Sequence, residues 1–282
     1  MSSLSTPATG GPEPLLLLLD PAARQTDGES VRIARDVLCG GTDAKVAYPE
    51  SPSELDRVLS HRGRRRPVVI GSDLAMQRVL QALYRQRELG ADPVGMVPVG
   101  RSDELVAARA LGVPGEPVPA ARAVLGGVPR KLDLLVDDGG GVALGKVRIS
   151  GSGAGRIAGR TGGWRSLWAK LAAAEQGTSL TVEAGRGEHS ALLRVEADGR
   201  LLADLDQPVR VVEVTLPGGE AIGGVMEIVV RTPGALVRAR AATLAVTGRG
   251  FGYEADGQPV GPVRDRTWTV HPGAWGLLLP SG

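Results

Sequence analysis

This 282-residue chain carries a single cysteine and a single phenylalanine. A lone Cys39 excludes an intrachain disulfide framework and suits a reducing, cytoplasmic setting. It reads as filler on a helix ending at Gly40-Gly41, rather than as a nucleophile. With aromatics at 3% of residues, Leu, Val and Ala must supply most of the core. An excess of one charge is lacking too. Lys and Arg number 33 against 31 Asp and Glu, a formal net charge of +2, which is not the profile of a dedicated nucleic-acid binder. No apolar run approaches the roughly 20 residues of a spanning helix. The run Leu15 to Leu19 is far shorter and follows residues without a positive cluster, so it reads as a buried strand and not a signal peptide. His61, His189 and His271 are far apart in sequence, with no cysteine cluster to complete a zinc site.

What the chain has in quantity is glycine and proline, 41 and 20 residues, and hence turns. Residues 1–11, rich in Ser, Thr, Pro and Gly, are expected to form a disordered tail. From 12 to 128 short apolar strands alternate with helices. Strands are expected at Leu15–Leu19, Ala44–Tyr48, Pro67–Ile70 and Val94–Val99, and helices at Asp27–Leu38, Ser51–Leu59, Asp73–Tyr84 and Asp103–Leu111. That alternation predicts a mostly parallel sheet covered on both faces. From 129 to 282 the period shortens to that of strands separated by Gly, Pro and Asp turns. Strand-like segments include Leu132–Val136, Leu180–Glu183, Ala191–Glu196 and Trp275–Leu279, and a helix is inserted at Trp164–Ala173. A β-sandwich is the expected architecture of this half, with a hinge near 126–131 and the last strand returning beside the first domain.

In a parallel sheet, chemistry gathers where strands end and helices begin. Two such places stand out. Gly71-Ser72-Asp73-Leu74 leads a strand into a helix, and its free N–H groups suit an anion; alternatively Gly71 makes the turn and Asp73 caps the helix. Gly100-Arg101-Ser102-Asp103 repeats the arrangement, with Arg101 able to reach a phosphate or to lie in solvent. The basic run Arg62, Arg64, Arg65 and Arg66 reads as a solvated loop, or as a patch drawn to anionic headgroups. Gly151 to Gly159 lacks the Gly-Lys-Ser/Thr close of a Walker A loop. A dinucleotide site is the alternative there to a flexible glycine loop.

These segments resemble, in order, motifs of the diacylglycerol kinase and sphingosine kinase superfamily. Val68 to Leu83 resembles its Gly-Gly-Asp-Gly-Thr region. Pro98 to Arg109, followed by Leu111-Gly-Val-Pro114, is similar to its Pro-Leu-Gly-Thr-Gly-Asn-Asp-Phe-Ala-Arg stretch and the Leu-Gly-Ile-Pro after it. Asp20-Pro21 looks like its opening Asn-Pro turn. Asp256-Gly257-Gln258 looks like its Asp-Gly-Glu turn, and Val270 to Pro280 like its final strand. The resemblance covers residues 14 to 280. It implies an α/β nucleotide-binding-like domain joined to a β-sandwich, with Asp73, Asp256 and Gln258 in catalytic positions. Asp20, Gly71, Ser72, Leu74, Gly100, Arg101 and Ser102 would face the nucleotide. It also implies an interdomain cleft lined by Asp20, Gly71, Asp73, Gly100, Arg101 and Asp256, faced by the glycine loop.

The departures from the family pattern bear on activity. Ser72 and Leu74 stand where the family has glycines that let the backbone wrap phosphates. Ala75 replaces its threonine, and Asp20 replaces an asparagine with a negative charge. Gln258 cannot accept a proton as the family's glutamate would. The expectation is a divergent lipid-kinase-like protein with weak or absent kinase activity and a nucleotide- or lipid-binding role. The alternative is an active kinase using ATP and Mg²⁺ on a diacylglycerol-like lipid alcohol. Peripheral contact with a membrane is compatible with either.

Overall fold

The computed structural model describes residues 13–150, 190–217 and 223–281. The expected tail at 1–11, the glycine loop at 151–159, the helix at Trp164–Ala173 and the strand at Leu180–Glu183 lie outside the described residues. The chain divides into two compact units. The first holds residues 13–133 and 273–281, the second residues 134–150, 190–217 and 223–272. The division falls after Asp133 and again after Pro272.

In the first unit, five leucines form β1 (Leu15–Leu19), buried along its whole length. Strands β2 (Ala44–Ala47), β3 (Arg66–Gly71) and β4 (Gly95–Pro98) complete a parallel sheet in the order β2-β1-β3-β4. Leu15, Leu17 and Leu19 pack with Val31, Ala34 and Leu38 of helix α2 (Gly28–Gly41) and with Ala120, Ala121 and Val124 of helix α6 (Pro117–Gly126). Leu16 and Leu18 alternate to the other face and are equally buried. A strand apolar on both faces fits only between two layers, and that accounts for the unbroken leucine run. The other helices are α1 (Pro21–Thr26), α3 (Pro52–Ser60), α4 (Asp73–Arg85) and α5 (Val106–Ala110).

Two elements differ from the sequence expectation. The helix expected over Asp103–Leu111 is a 3-10 turn at Ser102–Glu104 followed by the short α5. Arg109 turns its guanidinium back to donate to the carbonyls of Leu105, at 3.0 Å, and Ser102, stabilising the break. Helix α6 is not among the elements expected from the sequence, and it carries Pro117 and Pro119. Both lie in its first turn, where a missing N–H costs nothing. The chain's end also belongs to this unit. The Val94 N–H donates to Gly276 O at 2.7 Å and the Leu278 N–H to Val94 O at 3.0 Å, a parallel bridge that sets the closing strand beside the start of β4.

The second unit is built on antiparallel pairing. Its elements are β5 (Val128–Asp137) from Leu134 on, β6 (Val142–Ala143), β7 (Lys146–Ser150), β8 (Ala191–Ala197), β9 (Arg200–Ala203), β10 (Pro208–Val209), β11 (Val211–Thr215), β12 (Met226–Arg231), β13 (Leu236–Ala241), β14 (Thr243–Ala255) and β15 (Gln258–Leu279) as far as Pro272. The main path runs β13-β12-β11-β7-β14-β15-β5-β6, with β8 joined to β14, β9 and β10. Phe251, Tyr253 and Trp268 share the core, and the last two meet edge to face with centroids 5.1 Å apart. An α/β domain plus a β-sandwich is the architecture the sequence predicted.

Candidate functional site

At the C-terminal edge of the parallel sheet, β1 ends at Asp20 and β3 at Gly71. The Asp20 side chain caps α1, accepting the Ala22 N–H at 3.0 Å through Oδ1, while Oδ2 accepts the Ser72 hydroxyl at 2.9 Å. Ser72 in turn is the N-cap of α4, its Oγ lying 3.4 Å from the Ala75 amide. The structure thus brings Asp20, Gly71 and Ser72 together. Glycine is required at 71 because a Cβ there would lie 2.4 Å from the Asp20 Cβ. The close approach that this glycine permits is made by a side chain of the protein itself. Leu74 is half-buried in the first turn of α4.

Asp73 is buried, 7% exposed, and faces α5, whose own N-cap position, Leu105, offers no side-chain cap. Its carboxylate supplies the missing cap, accepting Ala107 N–H at 2.6 Å and Ala108 N–H at 2.9 Å. Burial pushes the Asp73 carboxyl above its ordinary range, against the opposing pull of these amides and of the Arg109 charge. The sign of the linkage follows. Protonation is easier in the folded state, so stability tied to Asp73 is lost as pH rises through its folded pKa. Compared with Asp73→Asn in denaturant titrations, the wild type should gain relative stability between neutral pH and about pH 4. The third candidate segment is exposed: the Arg101 N–H donates to Glu104 at 3.1 Å and its guanidinium to Asp103 at 3.3 Å. Gly100 starts this turn, and the Ser102 carbonyl is taken by Arg109.

Asp256 and Gln258 lie in the second unit, at the hairpin joining β14 to β15. Asp256 and Gly257 have φ of 48° and 78°, and Ala255 pairs with Gln258, so the tip is a two-residue turn that demands left-handed residues. The Asp256 carboxylate accepts the N–H groups of Leu144, Gly145 and Lys146 at 2.6, 3.1 and 2.9 Å. An identical device occurs at the tip joining β8 to β9. Asp198-Gly199 has φ of 47° and 77°, and the Asp198 carboxylate holds the amides of Ala242 and Thr243 at 3.0 and 2.8 Å. One Asp-Gly tip resembles a kinase motif and the other does not, yet both fasten a neighbouring connection in the same way. Gln258 is half-buried beside the first.

Sequence reasoning missed a polar group in the second unit. The Tyr253 hydroxyl donates to Asp137 at 2.7 Å, and Asp137 also accepts the amides of Gly139 and Gly141 at 2.8 Å each. Burial, and then the carboxylate acceptor, push the Tyr253 phenol far above its ordinary range, fixing it as a donor. Arg266 closes the group through Asp138 at 2.7 Å. The signal was present in Asp137-Asp138-Gly139-Gly140-Gly141, an acidic pair before a glycine turn. Tyr253→Phe should cost about 1.5–3 kcal/mol in a denaturant titration, the range for a hydrogen bond to a charged group.

The basic run does not form a free patch. Arg62 is buried and pairs with Glu88 and Asp92, Arg65 pairs with Asp43, and Arg66 pairs with Glu13. Among the described residues, Arg64 alone of the four is exposed and joins no ion pair. At the edge of the first unit, the Ala22, Ala75, Ala107 and Ala108 amides at the starts of α1, α4 and α5 are taken by Asp20, Ser72 and Asp73, and two of these three caps are carboxylates, which place negative charge at those helix starts.

The fold is that of the diacylglycerol kinases. Over 96% of this chain and 98% of the other, it superposes with a TM-score of 0.69 and 14% identity on a diacylglycerol kinase of Bacillus anthracis strain Sterne. Two further structures from that strain, assigned to this enzyme class provisionally, match with TM-scores of 0.72 and 0.68, at 13% and 14% identity. The first covers 98% of both chains, the second 96% of this chain and 98% of its own. No protein-family model and no curated protein sequence matches the chain.

Proposed function

We propose that this protein is a divergent lipid-kinase-like protein that transfers phosphate weakly or not at all, and that its role is ligand binding. The observation that carries this reading is the occupation of the sheet edge by the protein's own caps. Phosphoryl transfer depends almost wholly on positioning and electrostatic stabilisation of the triphosphate. Here Asp20 and Asp73 occupy amide donors with negative charge, and Ser72 and Leu74 carry side chains where the resembling motif has glycines. Gln258 supplies no carboxylate base. Because a phosphate must displace a carboxylate to dock, a lipid is the ligand favoured over a nucleotide. No helix among the described residues is long and apolar enough to cross a membrane, so any contact with lipid by these helices is made at its surface.

The test is a radiolabelled ATP assay with Mg²⁺ across diacylglycerol, sphingoid and glycerophospholipid substrates. The expected result is no phosphorylated lipid above the enzyme-free background. Turnover in the ordinary kinase range of about 1–100 s⁻¹ would reject the reading in favour of an active lipid kinase.

A further inference from the structure

A strand at the border of a sheet presents unpaired N–H and C=O groups, and charges within it are an ordinary guard against pairing with another chain. Among the described residues, the border strands longer than two residues are β2, β4, β9 and β13. Three of them are protected. β4 is buried throughout and meets the closing strand at its start, β2 carries Lys45, and β13 carries Arg238 and Arg240. Two copies of β13 laid antiparallel about Ala239 would set Arg238 against Arg240, a repulsive register.

β9 lacks such a guard. One side is paired to β8, with Val195 opposite Ala203 and Ala197 opposite Arg200, and no other described strand joins it. Leu201, Leu202 and Ala203 hold no charge, and the charges at the two ends have opposite sign, Arg200 opening the strand and Asp204 following it. Arg200 is exposed and joins no ion pair among the described residues. Asp204 lies 3.5 Å from Arg194 of β8 and accepts the Leu205 amide at 2.8 Å, both through Oδ1. The same corner holds three of the seven large apolar side chains exposed among the described residues, Leu192, Leu201 and Leu205, at 46, 45 and 47%. Leu192 stands opposite Pro208 of β10, and Leu205 lies in the turn between β9 and β10. Scattered exposed apolar residues are ordinary, whereas three beside one unguarded border mark an association surface.

From this we infer that β9 is a self-association edge, which pairs antiparallel with β9 of a second copy of this chain about a twofold axis at Leu202. Charge selects that occupant. In this register Arg200 of each copy stands opposite Asp204 of the other, so the strand is complementary to itself at both ends, while a parallel copy would set Arg200 on Arg200. Leu201 of each copy then meets Ala203 of the other, and the outward backbone groups of both strands gain partners.

The measurement is sedimentation equilibrium of the full chain over a range of concentrations. The wild type should rise toward twice the 29.2 kDa of one chain. R200D puts like charges at both ends of the paired strands and should weaken association by about tenfold or more, whereas R200K should behave as the wild type. Oxidative cross-linking tests the register in a C39S background, which removes the exposed native thiol. Directly opposed residues of an antiparallel pair have Cα atoms about 4.5–5.5 Å apart, within reach of a disulfide, so C39S/L202C should form a covalent dimer. C39S/L205C should not, because in this register the two copies of residue 205 are roughly 20 Å apart along the strands. A wild type that stays monomeric at every concentration would overturn the inference. So would association undiminished in R200D, or cross-linking of C39S/L205C as readily as of C39S/L202C.

Discussion

Replacing Asp256 by alanine is expected to lower the unfolding free energy by about 3–4 kcal/mol, the largest stability loss of any single change considered. The carboxylate satisfies three backbone N–H groups, of which that of Leu144 belongs to a buried residue. A buried donor left without an acceptor costs about 1–3 kcal/mol, while the Lys146 amide, on an exposed residue, can turn to water. Alanine adds about 1–2 kcal/mol of left-handed strain at φ 48°. Asp256→Asn separates the two contributions. Asparagine tolerates the left-handed turn and keeps one acceptor oxygen, so it should cost clearly less than alanine in the same denaturant titration. Equal stability of wild type and D256A would show that the carboxylate does not fasten the 144–146 connection.

A deficit in catalysis is the second large effect. Lipid phosphorylation by the wild type should run at least 10²- to 10⁴-fold below the usual kinase range, the loss that accompanies the absence of one positioned acid–base group. Restoring a carboxylate by Gln258→Glu is expected to recover little of it. The base is only one requirement, and triphosphate positioning is still opposed by Asp20, Ser72 and Leu74. A combined D20N/S72G/L74G/Q258E protein removes the opposing charge and both side chains, and should exceed Q258E alone in turnover. If Q258E by itself reached a rate of about 1 s⁻¹ or more, the sheet edge would not be the obstacle.

The fold was legible where burial writes a periodic pattern. Leu15–Leu19 announces a strand covered on both faces, and alternation along β7, β11 and β12 announces sheets with one wet face. Boundaries governed by single side-chain contacts were less legible. Nothing in the spacing of Arg109 tells that its guanidinium returns to Ser102 and splits the expected helix. In α6, Pro117 and Pro119 are compatible with a first turn and with a loop, and only packing against α2 decides.

The candidate residues were legible as turn residues, but their partners were not. Sequence leaves Asp73 as either a cap or a functional acid. In the structure its carboxylate caps α5 rather than its own helix, a contact 34 residues away in sequence for Ala107. Asp256 was marked by resemblance alone. The equivalent behaviour of Asp198 emerges only when both hairpin tips are seen fastening their neighbours. The run from Arg62 to Arg66 looked like one basic patch because its acidic partners, Glu13, Asp43, Glu88 and Asp92, are scattered along the chain.

Direct titration of Mg²⁺-ATP by calorimetry tests the central claim, that the protein's own caps hold the donors a phosphate would need. Wild type is expected to show no saturable heat up to millimolar nucleotide, whereas D20N/S72G/L74G should show measurable binding. Micromolar affinity in the wild type, undiminished by inorganic triphosphate as a control for nonspecific charge effects, would contradict the claim.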